Sequence, residues 1–325
     1  MGENAMEVSR ILVRALAVLS ASLVPLAGAG VASATITIAT VPVGNPGNAA
    51  DTTGFGSVGY NYNIGEYDVT SSQYTAFLNS VAKTDTYSLY NSAMSGTTSG
   101  NPGIVQSGSS GSYTYSVAAG RDNFPVTDVT FWDTLRFANW LQNGQPTGSQ
   151  GNSTTETGTY TLTPTGIANN TVTRNANLPT GSWALASENE WYKAAYYNPA
   201  GSYTLYAVRS NSISTSEANY NGAVGDTTAV GSYVFPSYYG TYDQNGNVFQ
   251  WNESIHSGGS FRGLRGGSFV NNYFILQSSD YSFDSPTDDY TLGGFRVSQV
   301  PEPGSLGILA LGGMGMFVRR RGVRR

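Results

Sequence analysis

In three places apolar residues recur at three- and four-residue spacing directly behind a capping signal, and each place predicts a helix. Tyr74, Phe77, Leu78 and Val81 share a face behind the capping box Thr70-Ser-Ser-Gln73. Phe131, Leu135 and Ala138 share another behind Thr130, with a stop at Asn143-Gly144. Ser187-Glu-Asn-Glu190 opens a third, over Trp191 to Tyr197, which Asn198-Pro199 ends. Elsewhere the pattern changes. Tyr60 to Tyr67 alternates as a strand does, and Thr35 to Ser57 reads as irregular strand. Residues 84–123 and 144–177 are polar and predict long surface insertions or hairpins, since loops of that length are uncommon in a core. After Asn198 the pattern predicts short strands between glycine turns, and Asn245-Gly246 predicts a tight hairpin.

Gly54-Phe-Gly56-Ser-Val-Gly59 spells a dinucleotide-binding fingerprint, but that motif must open a helix and this one runs into a strand pattern. Those glycines predict turns. Aromatic residues make up 12% of the 325-residue chain, enough for a core, while charged residues are only 11%. There is no cysteine, which excludes disulfides, thiolate metal sites and a cysteine nucleophile. The single histidine, His256, excludes a multi-histidine metal site. Between Thr35 and Val300 lie 9 basic and 18 acidic residues. That balance argues against a nucleic-acid partner and suits cations or neutral glycans.

Both ends carry address signals. Residues 11–31 form an apolar stretch after Arg10, followed by Ala32-Ser33-Ala34, which predicts a secretory signal peptide over 1–34. The competing reading, an uncleaved membrane anchor, is disfavoured by Pro25 and the Gly-Ala run. The segment 300–325 begins with Pro301-Glu302-Pro303, continues through an apolar run over 305–318 and ends in arginines. The run is short for a spanning helix, which needs about 20 residues, so transient membrane association is expected. This order of parts resembles the PEP-CTERM sorting signal. The resemblance implies export to the bacterial envelope or beyond, with exosortase-type processing machinery as a partner.

Six segments in order over residues 55–298 resemble the sulfatase-modifying factor, or formylglycine-generating enzyme, family. They are Tyr67 to Phe77, Phe124 to Leu141, Trp183 to Trp191, Tyr242 to Trp251, Arg265-Gly266-Gly267-Ser268-Phe269, and Gly294-Phe295-Arg296-Val297. The resemblance implies one domain over 35–299 with an α+β, C-type-lectin-like fold rich in irregular structure. Oxidase members bind copper through two cysteines just after the Gly-Gly-Ser segment. Here Asn271 and Leu276 hold those positions, and neither offers the thiolate that Cu(I) prefers. Neither copper nor the iron of other relatives is expected. The resemblance also implies structural calcium at two loops. Asn219, Tyr220, Asp226 and Thr228 match the first; Asn245, Gly246, Val248 and Gln250 match the second. Gln250 stands where the family carries glutamate, which weakens the second site. The spacing from Asp243 fails as an EF-hand, with Val248 at the glycine position.

The first functional reading is a non-catalytic envelope or matrix protein that binds a glycan or protein ligand. The alternative is an enzyme using other residues, such as His256 with Glu253 or a serine. A third is a degenerate partner that presents substrates to an active relative. Fold alone does not choose among them.

Overall fold

Capping chemistry sets the helices. In the computed structural model, which describes residues 35–96 and 103–300, α1 spans Ser71–Val81, α2 Phe131–Gln142 and α4 Glu188–Tyr196. Between the last two lies the one-turn α3, Pro164–Ala168. Each long helix begins with a reciprocal box: Thr70 with Gln73, Thr130 with Asp133, and Ser187 with Glu190. Each box satisfies two amides that no helical carbonyl can reach. The signal peptide and the sorting segment beyond Val300 lie outside the described residues.

The strands are short: β1 Thr40–Val43, β2 Tyr62–Gly65, β3 Ile104–Ser107, β4 Thr114–Val117, β5 Ser182–Leu185, β6 Tyr197–Asn198 and β7 Ser202–Tyr203. Then follow β8 Phe249–His256, β9 Phe261–Arg265, β10 Ser282–Asp284, β11 Gly293–Phe295 and β12 Val297–Val300. One antiparallel sheet has the order β1-β2-β12-β5, and a second has the order β10-β9-β8-β11, with β11 parallel to β8. Only Arg296 separates β11 from β12, so the chain passes from one sheet to the other at a fully buried arginine. The pairs β3–β4 and β6–β7 stand apart from both sheets.

The main core packs α1 and α2 with residues of both sheets. Its aromatic centre is Phe137, which meets Phe77 at 5.4 Å, Trp140 at 5.7 Å and Phe295 at 5.3 Å between ring centroids. Cutting Phe137 to alanine should cost about 3–5 kcal/mol, the usual loss for a buried ring. A second cluster gathers Trp191, Tyr192 and Tyr196 of α4 with Tyr62 and Ile64 of β2.

Two expectations from the sequence need correction. The stretch 144–177 is not a surface insertion: Tyr160, Leu162 and Val172 are core residues, and Glu156 is buried. Its backbone can be buried because asparagines of α2 and its cap supply hydrogen bonds. Asn139 donates to the carbonyls of Thr155 (2.8 Å) and Tyr160 (3.1 Å) and accepts from the Tyr160 amide. Asn143 donates to the Thr154 and Thr157 carbonyls. The stretch 84–123 does carry a hairpin, β3–β4, but likewise sends Leu89, Met94, Ile104 and Tyr115 inward. The second correction concerns Asn245-Gly246, which forms a turn but no hairpin, since no strand lies between Tyr203 and Phe249. Gly246 has φ +75°, and a Cβ there would lie 2.1 Å from the Asn219 carbonyl oxygen. A close approach of two loops, rather than a strand reversal, demands the glycine.

Candidate functional site

The segment after β9 is where oxidase chemistry would sit. Gly266 and Gly267 both take positive φ, and the turn that follows is closed by Asn271. Its Oδ1 accepts from the Ser268 amide (2.8 Å) and the Ser268 hydroxyl (2.6 Å). Leu276 is fully buried in a small cluster with Tyr206, Ala218 and Tyr220. One position is thus spent on a turn and the other on apolar packing, so this place is filled. Outside it the rings of Tyr273 and Phe274 meet at 4.1 Å and are about half exposed.

The two loops matched to calcium differ. In the first, Asn219 is buried and its Oδ1 has no hydrogen-bond partner, while its Nδ2 donates to the Asp226 carbonyl at 2.8 Å. Asp226 is spread thinly: one oxygen accepts from the Thr227 amide (2.7 Å), the other meets Arg121 at 2.8 Å. The Tyr220 and Thr228 carbonyls accept from the Ala223 amide and from Asn247 Nδ2. A buried orphan oxygen is what a cation would satisfy, so this loop fits the group. In the second, Asn245 Oδ1 accepts from the Ala207 amide (2.6 Å), and its Nδ2 donates to the Leu276 carbonyl (2.7 Å). Gln250 Oε1 accepts from Trp191 Nε1 and from Arg296 Nε, both at 2.6 Å, and its Nε2 donates to the Asp243 carbonyl. With Gly246 and Val248 offering only backbone, no side-chain oxygen is left there. The second set does not fit.

The acid–base pairing of His256 with Glu253 is not formed. The two side chains diverge from β8. Glu253 accepts from Arg174 Nε at 2.7 Å and from the Tyr160 hydroxyl. Burial pushes its pKa up, against the pull of Arg174. His256 Nε2 instead lies 3.0 Å from Ser254 Oγ, which also donates to Glu188 Oε2 at 3.0 Å. That places the hydroxyl between carboxylate and imidazole, whereas a nucleophilic triad needs the imidazole in the middle.

Arg174 is the functional-looking residue that the sequence pattern passes over. It lies in the polar stretch 144–177, yet it reaches Glu190 through Nη1 (2.9 Å) and Nη2 (2.7 Å) as well as Glu253. One cation in a stretch whose only other charge is Glu156 was the available signal. Glu190 is capping partner and hub together: it also accepts from the Ser187 amide, the Tyr60 hydroxyl and Ser298 Oγ. Near the first loop, a cavity of about 60 Å³ is lined by Arg121, Phe124, Val126, Asp226, Phe269 and Leu292, among others. It has room for one or two waters.

These features can be set beside known proteins. The sulfatase-modifying factor enzyme 1-like domain matches residues 50–300, and the PEP-CTERM protein-sorting motif matches 299–321. No curated protein matches the chain significantly. Among solved structures, Treponema denticola variable protein 1 superposes with a TM-score of 0.53 at 18% identity, covering 83% of this chain and 97% of that one. CarF gives 0.53 at 20% identity, covering 82% and 99%. PvdO from Pseudomonas aeruginosa gives 0.46 at 18% identity, covering 81% and 91%. The fold is therefore the mixed α+β fold of the formylglycine-generating enzymes. The chain belongs to the sulfatase-modifying factor family, as a member without cysteine, and its sorting motif marks it for export to the envelope or extracellular side with exosortase-type processing.

Proposed function

We propose that this exported domain performs no oxidase chemistry and acts by binding a ligand. The observation that carries the reading is the fate of the two thiolate positions: Asn271 closes a turn and Leu276 fills an apolar cluster. Restoring a copper site would take two new ligands and a new cavity. The test is a mass assay on a sulfatase-type cysteine peptide with copper and oxygen supplied. The expected result is no formylglycine above the buffer control; turnover overturns the reading.

The same reading places a calcium ion at the first loop only, through Asn219 Oδ1, the Asp226 carboxylate and the nearby Tyr220 and Thr228 carbonyls. Calcium supplies charge there and clips residues 219–228 together, a structural role. Binding to the folded state alone must raise the melting temperature with calcium concentration. Melting in chelator and in millimolar calcium checks this. The midpoint should rise in the natural chain and stay fixed in Asn219→Ala, while an unchanged midpoint in the natural chain removes the ion.

A further inference from the structure

We propose that an open groove beside β9 and β10, together with the aromatic cluster at its end, binds a neutral oligosaccharide. This rests on the binding reading above and gives it a place and a ligand class. The groove holds roughly 500 Å³. Its walls are uncharged: the exposed Asn169, Ser260 and Thr287, with Gly258, Gly259, Ser285 and the apolar Ile167, Ala168 and Pro286. One wall is held in place from below. Asn170 takes a left-handed backbone, its side-chain Nδ2 donates to the Gly259 carbonyl at 2.8 Å, and Arg262 Nε donates to its Oδ1 at 2.6 Å. Three more Arg262 donors go to the carbonyls of Asn170, Val172 and Glu253, and the guanidinium is buried beneath the groove rather than lining it.

Phe261 directly follows Ser260, and its ring meets Phe283 at 5.4 Å, which joins groove to cluster. Phe283 pairs across the sheet with Gly263. A Cβ on Gly263 would lie 2.0 Å from Ser254 Oγ, so the glycine leaves room for Ser254 and its neighbours over β9. The His256 ring lies 5.3 Å from Tyr281 and 5.5 Å from Phe283, both at 19°, while those two are 6.5 Å apart. These three distances close a triangle, so the imidazole covers one side of the pair and is not wedged between them. Tyr281 and Phe283 remain 48% and 44% exposed.

The chemistry of this surface selects its ligand. Ring faces carry partial negative charge and attract the C–H face of a sugar ring. Amides and hydroxyls meet sugar hydroxyls without the cost of burying a charge. No lysine or arginine lines the groove, the Arg265 guanidinium against Tyr281 (5.6 Å) is buried, and Asp284 and Asp288 flank the Ser285–Thr287 wall in sequence, a balance that disfavours uronates, sulfates and phosphates. An apolar protein patch would leave the groove's hydroxyls and amides buried and unpaired.

The test titrates the full chain, by calorimetry, with cellohexaose, mannohexaose, chitohexaose and the anionic hexagalacturonate. At least one neutral hexasaccharide should bind and hexagalacturonate should not. Phe283→Ala and Tyr281→Ala should each weaken binding about tenfold, as loss of an aromatic anchor does, with an unchanged melting temperature. Asn169→Ala should weaken it less, and Tyr273→Ala, on the other exposed ring pair, should leave it as it was. Absence of binding to all three neutral probes, or affinity unchanged in both ring variants, overturns the proposal. Neither result touches the non-catalytic reading, which falls only on formylglycine formation.

Discussion

Two arginines, Arg296 fully buried and Arg174 partly exposed, hold two buried carboxylates, and the outcomes are opposite. Glu190 and Asp68 are both shut off from solvent. Burial pushes the Glu190 carboxyl up, but the charge and hydrogen bonds of Arg174, the Ser187 amide and the Tyr60 hydroxyl outweigh it, and it titrates at about 2. Asp68 is raised to about 7 by burial, which Arg296 only partly offsets. The contacts explain the difference. Arg174 grips Glu190 twice within 2.9 Å, whereas Arg296 reaches Asp68 once at 3.4 Å and spends its other donors on Gln250 and on the Gly65 and Tyr242 carbonyls. Asp68 Oδ2 has no partner. Depth alone does not set a charge state; the number of donors does.

The hardest test of this contrast removes Arg174. Arg174→Met leaves Glu190 and Glu253 buried without their cation and should cost about 3–5 kcal/mol at pH 7, read from urea unfolding. A loss below 1 kcal/mol would show that water or rearrangement replaces the guanidinium.

A second test uses pH. Asp68 has a raised folded pKa, so its contribution is full below the unfolded value near 3.8 and is lost as pH rises through about 7. Glu190 has a lowered one, so its contribution is present above 4.5 and is lost as pH falls through about 2. Stability of the natural chain should therefore fall, relative to Asp68→Asn, between about pH 4 and about pH 7, and level off above. Parallel profiles would mean that Asp68 is ionised throughout.

The smallest expected change sharpens the Arg296 side. Gln250→Glu replaces a donor by an oxygen facing the Asp243 carbonyl, now 3.1 Å from Nε2, and adds a charge beside Arg296. The two effects oppose, so a net change of about 1 kcal/mol or less is expected without calcium. If chelator destabilises this variant by much more than the natural chain, the second loop has regained an ion site.

What could be read from the sequence follows the range of the forces involved. The three capping boxes act within four residues, so Thr70, Thr130 and Ser187 announced their helices correctly. The absence of any cysteine was equally plain. Arg174 and Tyr160 were not, because their partners lie on β8, α4 and β5, and a polar stretch gives no hint that Asn139 will carry its backbone indoors. Asn245-Gly246 misled for the same reason: its asparagine is claimed by Ala207 and Leu276, far away in sequence.

The place of β12 sets an order in time. Among the described residues β2 and β5 share no hydrogen-bonded strand neighbour except β12, so the first sheet is two separate pieces until residues 297–300 arrive. A chain that leaves its channel N-terminus first must keep nearly all of its length outside and unfinished until that moment. Closing such long separations is slow and leaves strand edges bare meanwhile. The matched sorting motif begins at Gln299, inside β12 itself. The closing strand and the start of the address therefore share residues 299 and 300.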